Sequence, residues 1–177
     1  MPRLFDLSPP LSARLAVWPG DVAFTRPVTV TPDGLTISSV TTTLHAGSHA
    51  DAPLHVVPGA ASIDALPLET WIGPCQVVEA RVAPRGRVRL EDLSEPPAAP
   101  RLLVKTGTFP DRERFTEEFA GLDASLAAEL AARGVVLVGI DTPSVDPFAD
   151  PDLEAHRALA GAGVAWLEGL VLAHVPP

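Results

Sequence analysis

Six short apolar runs, bounded by glycine, proline and polar turn residues, organise this chain: "VAFTRPVTV" (22–30), "LTISSVTTTL" (35–44), "CQVVEARV" (75–82), "RLLVKT" (101–106), "VVLVGI" (135–140) and "VAWLEGLVL" (164–172). Their β-branched content, length and flanking turn signals predict strands. Two other segments repeat their apolar positions at helical spacing. In "DASLAAELAARG", Asp123 can cap the N-terminus, Leu126 and Leu130 share a face and Gly134 closes the end. In "DPDLEAHRALAGAG", Asp150 as N-cap and Pro151 at the first helical position predict a helix that Gly161 and Gly163 terminate. Each helix runs straight into a strand. Residues 83–100 read as a surface loop with one short helical turn near Leu90 to Leu93. The pattern predicts a strand-rich, mixed α/β fold.

At 177 residues, 46% of them hydrophobic, the chain suits one domain spanning 1–177. Twenty prolines and thirteen glycines predict short elements and many loops. A formal charge of −9, with Lys105 the single lysine, offers no footprint for nucleic acid or anionic lipid. The N-terminus lacks a signal-peptide core and no apolar run reaches membrane-span length, so the expected location is the cytoplasm. Cys75, the one cysteine, cannot form an internal disulfide and is expected as a small buried residue.

The segment "TTTLHAGSHADAPLHVV" (41–57) fits neither helix nor strand. It places His45, His49, Asp51 and His55 within eleven positions. All four share one parity, yet a straight strand at about 3.3 Å per residue would hold His45 and His55 roughly 33 Å apart. A helix turns Asp51 and His55 away from His45, and Gly47, Pro53 and the threonines oppose it. A strand ending near Leu44 and then curling at Gly47 and Pro53 lets the side chains converge. Converging imidazoles and a carboxylate suit a divalent transition metal, with zinc and manganese both open. No G-x-S-x-G nucleophile elbow and no phosphate-binding G-K-S/T loop is present.

"HAGSHADAPLH" resembles the H-x-G-T-H-x-D-x-P-x-H signature of the bacterial kynurenine formamidase and cyclase family of metal-dependent hydrolases, with Ser48 where threonine is commoner. The likeness extends through "WPGD" (18–21), "GIDTPSVDP" (139–147), "EAHRALAGAGVAWLEG" (154–169) and "VLAHVPP". It implies a swivelling β/β/α-type fold and two zinc ions, one held by His45, His49 and Asp51, the other by Asp51, His156 and Glu168. It further implies His55 as the acid/base, Trp18 against an aromatic substrate, and a homodimer. The implied reaction is hydrolysis of the aromatic formamide N-formyl-L-kynurenine to formate and L-kynurenine, a step of tryptophan degradation. A relative opening a cyclic amide such as isatin, or a metal-binding inactive relative, are the alternatives. The family pattern continues past "VPP" with a further strand-rich segment, which a chain ending at Pro177 is expected to lack.

The distant positions also speak for themselves. His156 shares a helix face with Leu153, Leu159 and Ala160 and so points inward, as a ligand or as a core histidine bonded to a carbonyl. Glu168 interrupts an apolar strand, where a carboxylate needs a cation or donor unless an edge exposes it. Trp18, ahead of Pro19 and Gly20, is either core or cleft wall. Asp141, Thr142 and Ser144 either line a cleft or cap a turn.

Overall fold

The computed structural model describes residues 3–177. Its strands, in chain order, are β1 (Val28–Val30), β2 (Thr36–Ser38), β3 (His49–Asp51), β4 (Gln76–Glu79), β5 (Arg87–Val88), β6 (Arg101–Lys105), β7 (Gly121–Leu122), β8 (Leu137–Ile140) and β9 (Ala165–Glu168). The helices are α1 (Ala124–Ala132) and α2 (Glu154–Ala162). A five-stranded sheet in the order β3-β9-β8-β6-β4 forms the centre. Four of its strands run parallel, and β3 is added antiparallel at the edge beside β9. The interior strands β6 and β8 are the continuous apolar runs that a sheet covered on both faces requires.

Strand alternation sorts the core into two layers. Leu102, Val104, Val138, Ile140 and Trp166 face α1 and α2, packing with Leu126, Leu130 and Leu159. Leu103 and Leu137 face the other way, against Leu170, Leu172 and Val175, with Phe5, Leu7 and Trp71 at the rim. Gly139 is needed in that second layer, because a Cβ there would lie 2.6 Å from both the Leu103 and Leu170 side chains. The architecture is the mixed, strand-rich α/β fold that the sequence predicts, and no helix among the described residues is long and apolar enough to cross a membrane.

Several boundaries differ from the sequence expectation. The runs 22–30 and 35–44 form strands only over β1 and β2, an exposed hairpin, with one further antiparallel bridge at Thr25–Thr41. The run 164–172 stops at Glu168, because Gly169 takes a positive φ of 68° and donates its N–H to the Thr142 carbonyl. Cys75 precedes β4 and is exposed, not buried. In α1, Asp123 caps as predicted, accepting from the Ser125 N–H, and Gly134 follows the last turn with positive φ. The second helix starts at Glu154, with Leu153 in the left-handed region at its N-cap, rather than at Pro151 after an Asp150 cap. Asp150 instead accepts from the N–H groups of Asp152 and, at 3.4 Å, Glu154. The next two amides of the helix, those of Ala155 and His156, go to the Asp146 carboxylate at 2.7 and 3.1 Å. A residue nine positions upstream of Ala155 thus does the capping, which no local spacing rule anticipates. The 83–100 segment carries the predicted helical turn at Leu90–Asp92, and also β5, paired with β7.

Candidate metal centre

Register places the polar cluster. His49 lies directly opposite Glu168, and Asp51 opposite Trp166, across the antiparallel β3–β9 pair. Opposed residues and those two apart share a sheet face, so all four point towards α2. There His156, buried on the inner side of the helix, meets them. The segment expected as curling loop thus contains a three-residue strand, bent at both ends. Before it, Gly47 takes φ 66° and brings His45 back over the cluster. Gly169 makes room for that turn, since a Cβ on it would sit 2.0 Å from the Gly47 carbonyl oxygen. The Ser48 hydroxyl reaches the carbonyls of Leu7 (2.8 Å) and Gly169 (2.9 Å), tying the turn to the strand end. After β3, Pro53 opens a 3₁₀ turn over Pro53–His55 that swings His55 round.

Asp51 is the hub. Its Oδ1 lies 3.0 Å from His45 Nδ1 and 3.6 Å from His49 Nε2. Its Oδ2 lies 3.6 Å from His156 Nε2 and 3.9 Å from His55 Nε2. Glu168 spans the same division, with Oε2 at 3.2 Å from His49 Nε2 and Oε1 at 3.1 Å from His156 Nε2. The Trp166 indole donates to Asp51 Oδ2 at 3.3 Å, and the Val145 N–H donates to Glu168 Oε1 at 2.7 Å. Both carboxylates are buried. Two buried anions inside a ring of imidazoles require positive charge between them.

The ring nitrogens say what kind. His156 Nδ1 donates to Asp146 Oδ2 at 2.6 Å, which directs the Nε2 lone pair of the neutral ring at Glu168 and Asp51. That Nε2 is buried without a hydrogen-bond partner. His49 Nδ1 likewise donates to the Gly47 carbonyl at 3.1 Å, leaving its Nε2 lone pair on the cluster side. Imidazoles oriented from behind, with free nitrogens converging on buried carboxylates, form a donor set that fits divalent transition metal ions. Ligand atoms of His49, Asp51 and Glu168 lie within 4.8 Å of one another, as do those of His45, Asp51 and His55.

Without a cation the protons answer the same demand. Burial opposes charge on His156, but Asp146, Asp51 and Glu168 together push its pKa up to about 11. Burial would raise the Asp51 and Glu168 carboxyls, yet the surrounding histidines hold both below the ordinary carboxylate range. His55 differs: burial, with His45 and His156 adding to it, lowers its pKa despite the pull of Asp51. It stands at the exposed edge of the cluster as a neutral base near pH 7.

A cleft of about 380 Å³ opens over the centre. Trp18, His45, His55, His156 and Glu168 all line it. Trp18 is at once packed and lining, edge-on to Phe115 at 5.5 Å and tilted against Phe148 at 5.1 Å. Asp141 is a turn cap, accepting from the N–H groups of Thr106 and Gly107, while Thr142 donates to the Ser144 carbonyl. Ser144 reaches the cleft. Two residues go unassigned in the sequence reading. Asp146 lies within "GIDTPSVDP", but nothing in that stretch shows that it folds back onto α2. Arg112, in the loop after β6, also lines the cleft.

Known proteins resemble this chain over most of its length. The family model "Putative cyclase" matches residues 5–147. Kynurenine formamidase of Bordetella pertussis is 39% identical over 97% of this chain and 84% of its own. That of Sphingopyxis alaskensis is 39% identical over 100% of this chain and 87% of its own. The solved structure of a predicted metal-dependent hydrolase from Bacillus stearothermophilus superposes with a TM-score of 0.79 at 27% identity, covering 97% of this chain and 84% of that one. Isatin hydrolase A from Ralstonia solanacearum, at 19% identity and a TM-score of 0.73 over 99% of this chain and 82% of its own, shares the fold.

Proposed function

The chain belongs to the cyclase family of metal-dependent hydrolases, and from that premise we propose that it hydrolyses N-formyl-L-kynurenine to L-kynurenine and formate, in tryptophan degradation. The observation that carries the reading is the divided hub, one oxygen of Asp51 facing His45 and His49 and the other facing His156. On this reading His45, His49 and Asp51 would hold one zinc ion, and Asp51, His156 and Glu168 a second. Bound there, zinc supplies Lewis acidity that polarises a formyl oxygen and brings the pKa of water to about 7.

The chain's own groups do the rest. Trp18 and its phenylalanine neighbours offer an apolar wall for the aryl ring beside the cluster. His55, held neutral, accepts the proton of the attacking water at a ring nitrogen as its oxygen bonds the formyl carbon. The imidazolium then gives that proton to the anilide nitrogen as the C–N bond breaks, so the leaving group departs as a neutral amine. Asp146 and the Gly47 carbonyl keep His156 and His49 in the tautomer that the centre uses. The same reading takes the working unit to be a cytoplasmic homodimer, supported by the hairpin's Val28, Val30, Leu35 and Ile37, all at least half exposed.

The test is kynurenine release followed by absorbance, on protein purified without chelator and assayed for metal. Release, with metal near two equivalents, is the expected result. Ring opening of isatin without formamide hydrolysis would replace the substrate, and metal far below one equivalent would remove the two-ion centre.

A further inference from the structure

We infer that Arg112 is the specificity-determining residue that recognises the carboxylate of an amino-acid substrate, so that the cleft selects aryl formamides bearing that anion. This rests on the formamidase reading and adds to it the part of the substrate remote from the reacting bond.

Arg112 lines the same cleft as Trp18 and the metal cluster. Its Nη1 donates to the Asp141 carbonyl at 2.8 Å and its Nη2 to the Leu170 carbonyl at 2.7 Å, which anchors it to the chain just beyond β8 and β9. Its Cζ lies 5.3 Å from the centroid of the buried Phe109 ring. These contacts fix the plane but use only two of the five N–H donors of a guanidinium. Among the described residues, no carboxylate approaches within 4.0 Å of it, whereas Arg14, Arg85 and Arg89 each have one and Arg87 has three. The nearby Asp141 carboxylate is committed to Thr106 and Gly107. A half-buried, pre-oriented cation without a counter-ion, opening on an aromatic cleft, is suited to a carboxylate from outside.

The rest of the cleft explains why it has to be this residue. Outside the metal cluster, the other charged side chain lining it is the carboxylate of Asp21. The protein as a whole carries −9. Away from the metal centre, Arg112 is the one cationic side chain among the described residues that line the cleft.

The probe pair is N-formyl-L-kynurenine and its decarboxylated analogue N-formylkynuramine, which keeps the aryl formamide and the amine. The wild-type enzyme is expected to favour the carboxylate-bearing substrate by about a hundredfold in kcat/KM. In Arg112→Gln the preference falls to within about threefold, through a rise in KM for formylkynurenine alone. Equal losses on both substrates would make Arg112 a brace between strand ends and overturn the inference, as would a wild type without preference. Should Arg112→Gln fail to fold by circular dichroism, Arg112→Lys, which keeps the charge, is put through the same comparison and is expected to lose part of the preference on formylkynurenine only. Equilibrium binding of L-kynurenine and kynuramine, read by tryptophan fluorescence, separates the two ideas. Tighter binding of kynurenine that disappears in the variant, without turnover of either formamide, would sink the formamidase reading and keep the carboxylate site. Equal binding of both would sink the carboxylate site alone.

Discussion

Two neighbouring stretches of this chain invert the usual rule of burial in opposite senses. The hairpin β1–β2 exposes Val28, Val30 and Ile37, while β3, a few residues on, buries Asp51 against Glu168 and His156. Ordinary folding favours neither, since apolar surface gains from leaving water and a lone buried carboxylate loses heavily. Each stretch therefore points beyond the chain that carries it. The buried anions call for cations, and the exposed valines and isoleucine call for another surface. The difference lies in preparation. The anions are held by Trp166 and Val145, and the histidines around them by Asp146 and the Gly47 carbonyl, whereas the hairpin is held by little beyond its own ladder.

The largest effect should come from removing the hub. Asp51→Asn halves the charge that the ring of imidazoles answers and offers an amide where both sides meet a carboxylate oxygen. Metal content is expected to fall below a tenth of the wild-type value by elemental analysis, and kcat by at least about a thousandfold. Full metal occupancy in this variant would break the two-sided account of Asp51.

His55→Ala is expected to separate rate from binding. Proton transfer by a positioned side chain contributes roughly 10²–10⁴-fold, so kcat should fall within that range. Metal content should stay unchanged, because His55 is the farthest of the four cluster histidines from Asp51, at 3.9 Å. Loss of metal would make it a ligand. Asp146→Asn comes next. Such outer partners of ligating histidines matter by about 10–100-fold in metal affinity, and a chelator competition should show a weakening of that size. A fall in melting temperature with affinity intact would leave Asp146 as a helix cap alone.

These residues also mark how far the sequence could be read. His45, His49, Asp51 and His55 were visible because they crowd into a segment that glycine and proline break. His156 and Glu168 were visible because each is polar where its element's pattern demands apolar. Asp146 and Arg112 were not, since each acts through a contact made only when distant segments meet, 146 on α2 and 112 on the ends of β8 and β9. The core strands β6 and β8 followed their apolar runs closely. The runs at 22–30 and 35–44 did not, because strand propensity depends on a surface to pack against, and β1 and β2 stay exposed among the described residues. The start of α2 was displaced for a related reason, since the amides of Ala155 and His156 go to the distant Asp146 and leave Asp150 only those of Asp152 and Glu154.

On the hairpin side, Ile37→Asp tests whether the exposed face is used. A charge at the centre of a self-association surface is expected to shift sedimentation from dimer to monomer, at concentrations where the wild type is dimeric. Melting of the monomer should change little, because Ile37 is already 56% exposed. A wild type monomeric at every concentration would remove the meaning given to this face.

The smallest effect belongs to a position remote from both regions and serves as their control. Asp123 caps α1, accepting from the Ser125 N–H at 3.0 Å and hydroxyl at 2.7 Å, with Arg89 Nε at 3.2 Å. The Ser125 bonds first, then Arg89, lower its pKa against a small opposing effect of burial. A carboxyl depressed in the folded state stabilises fully above its unfolded pKa of about 3.9, and that contribution is lost as pH falls through the folded value. Asp123→Ala should therefore cost about 1 kcal/mol at pH 7, measured by urea titration, and progressively less below about pH 4. Metal content and kynurenine release should not move. If they did, α1 would be coupled to the centre through α2, against which it packs, and the separation drawn between scaffold and metal site would have to be redrawn along that helix pair.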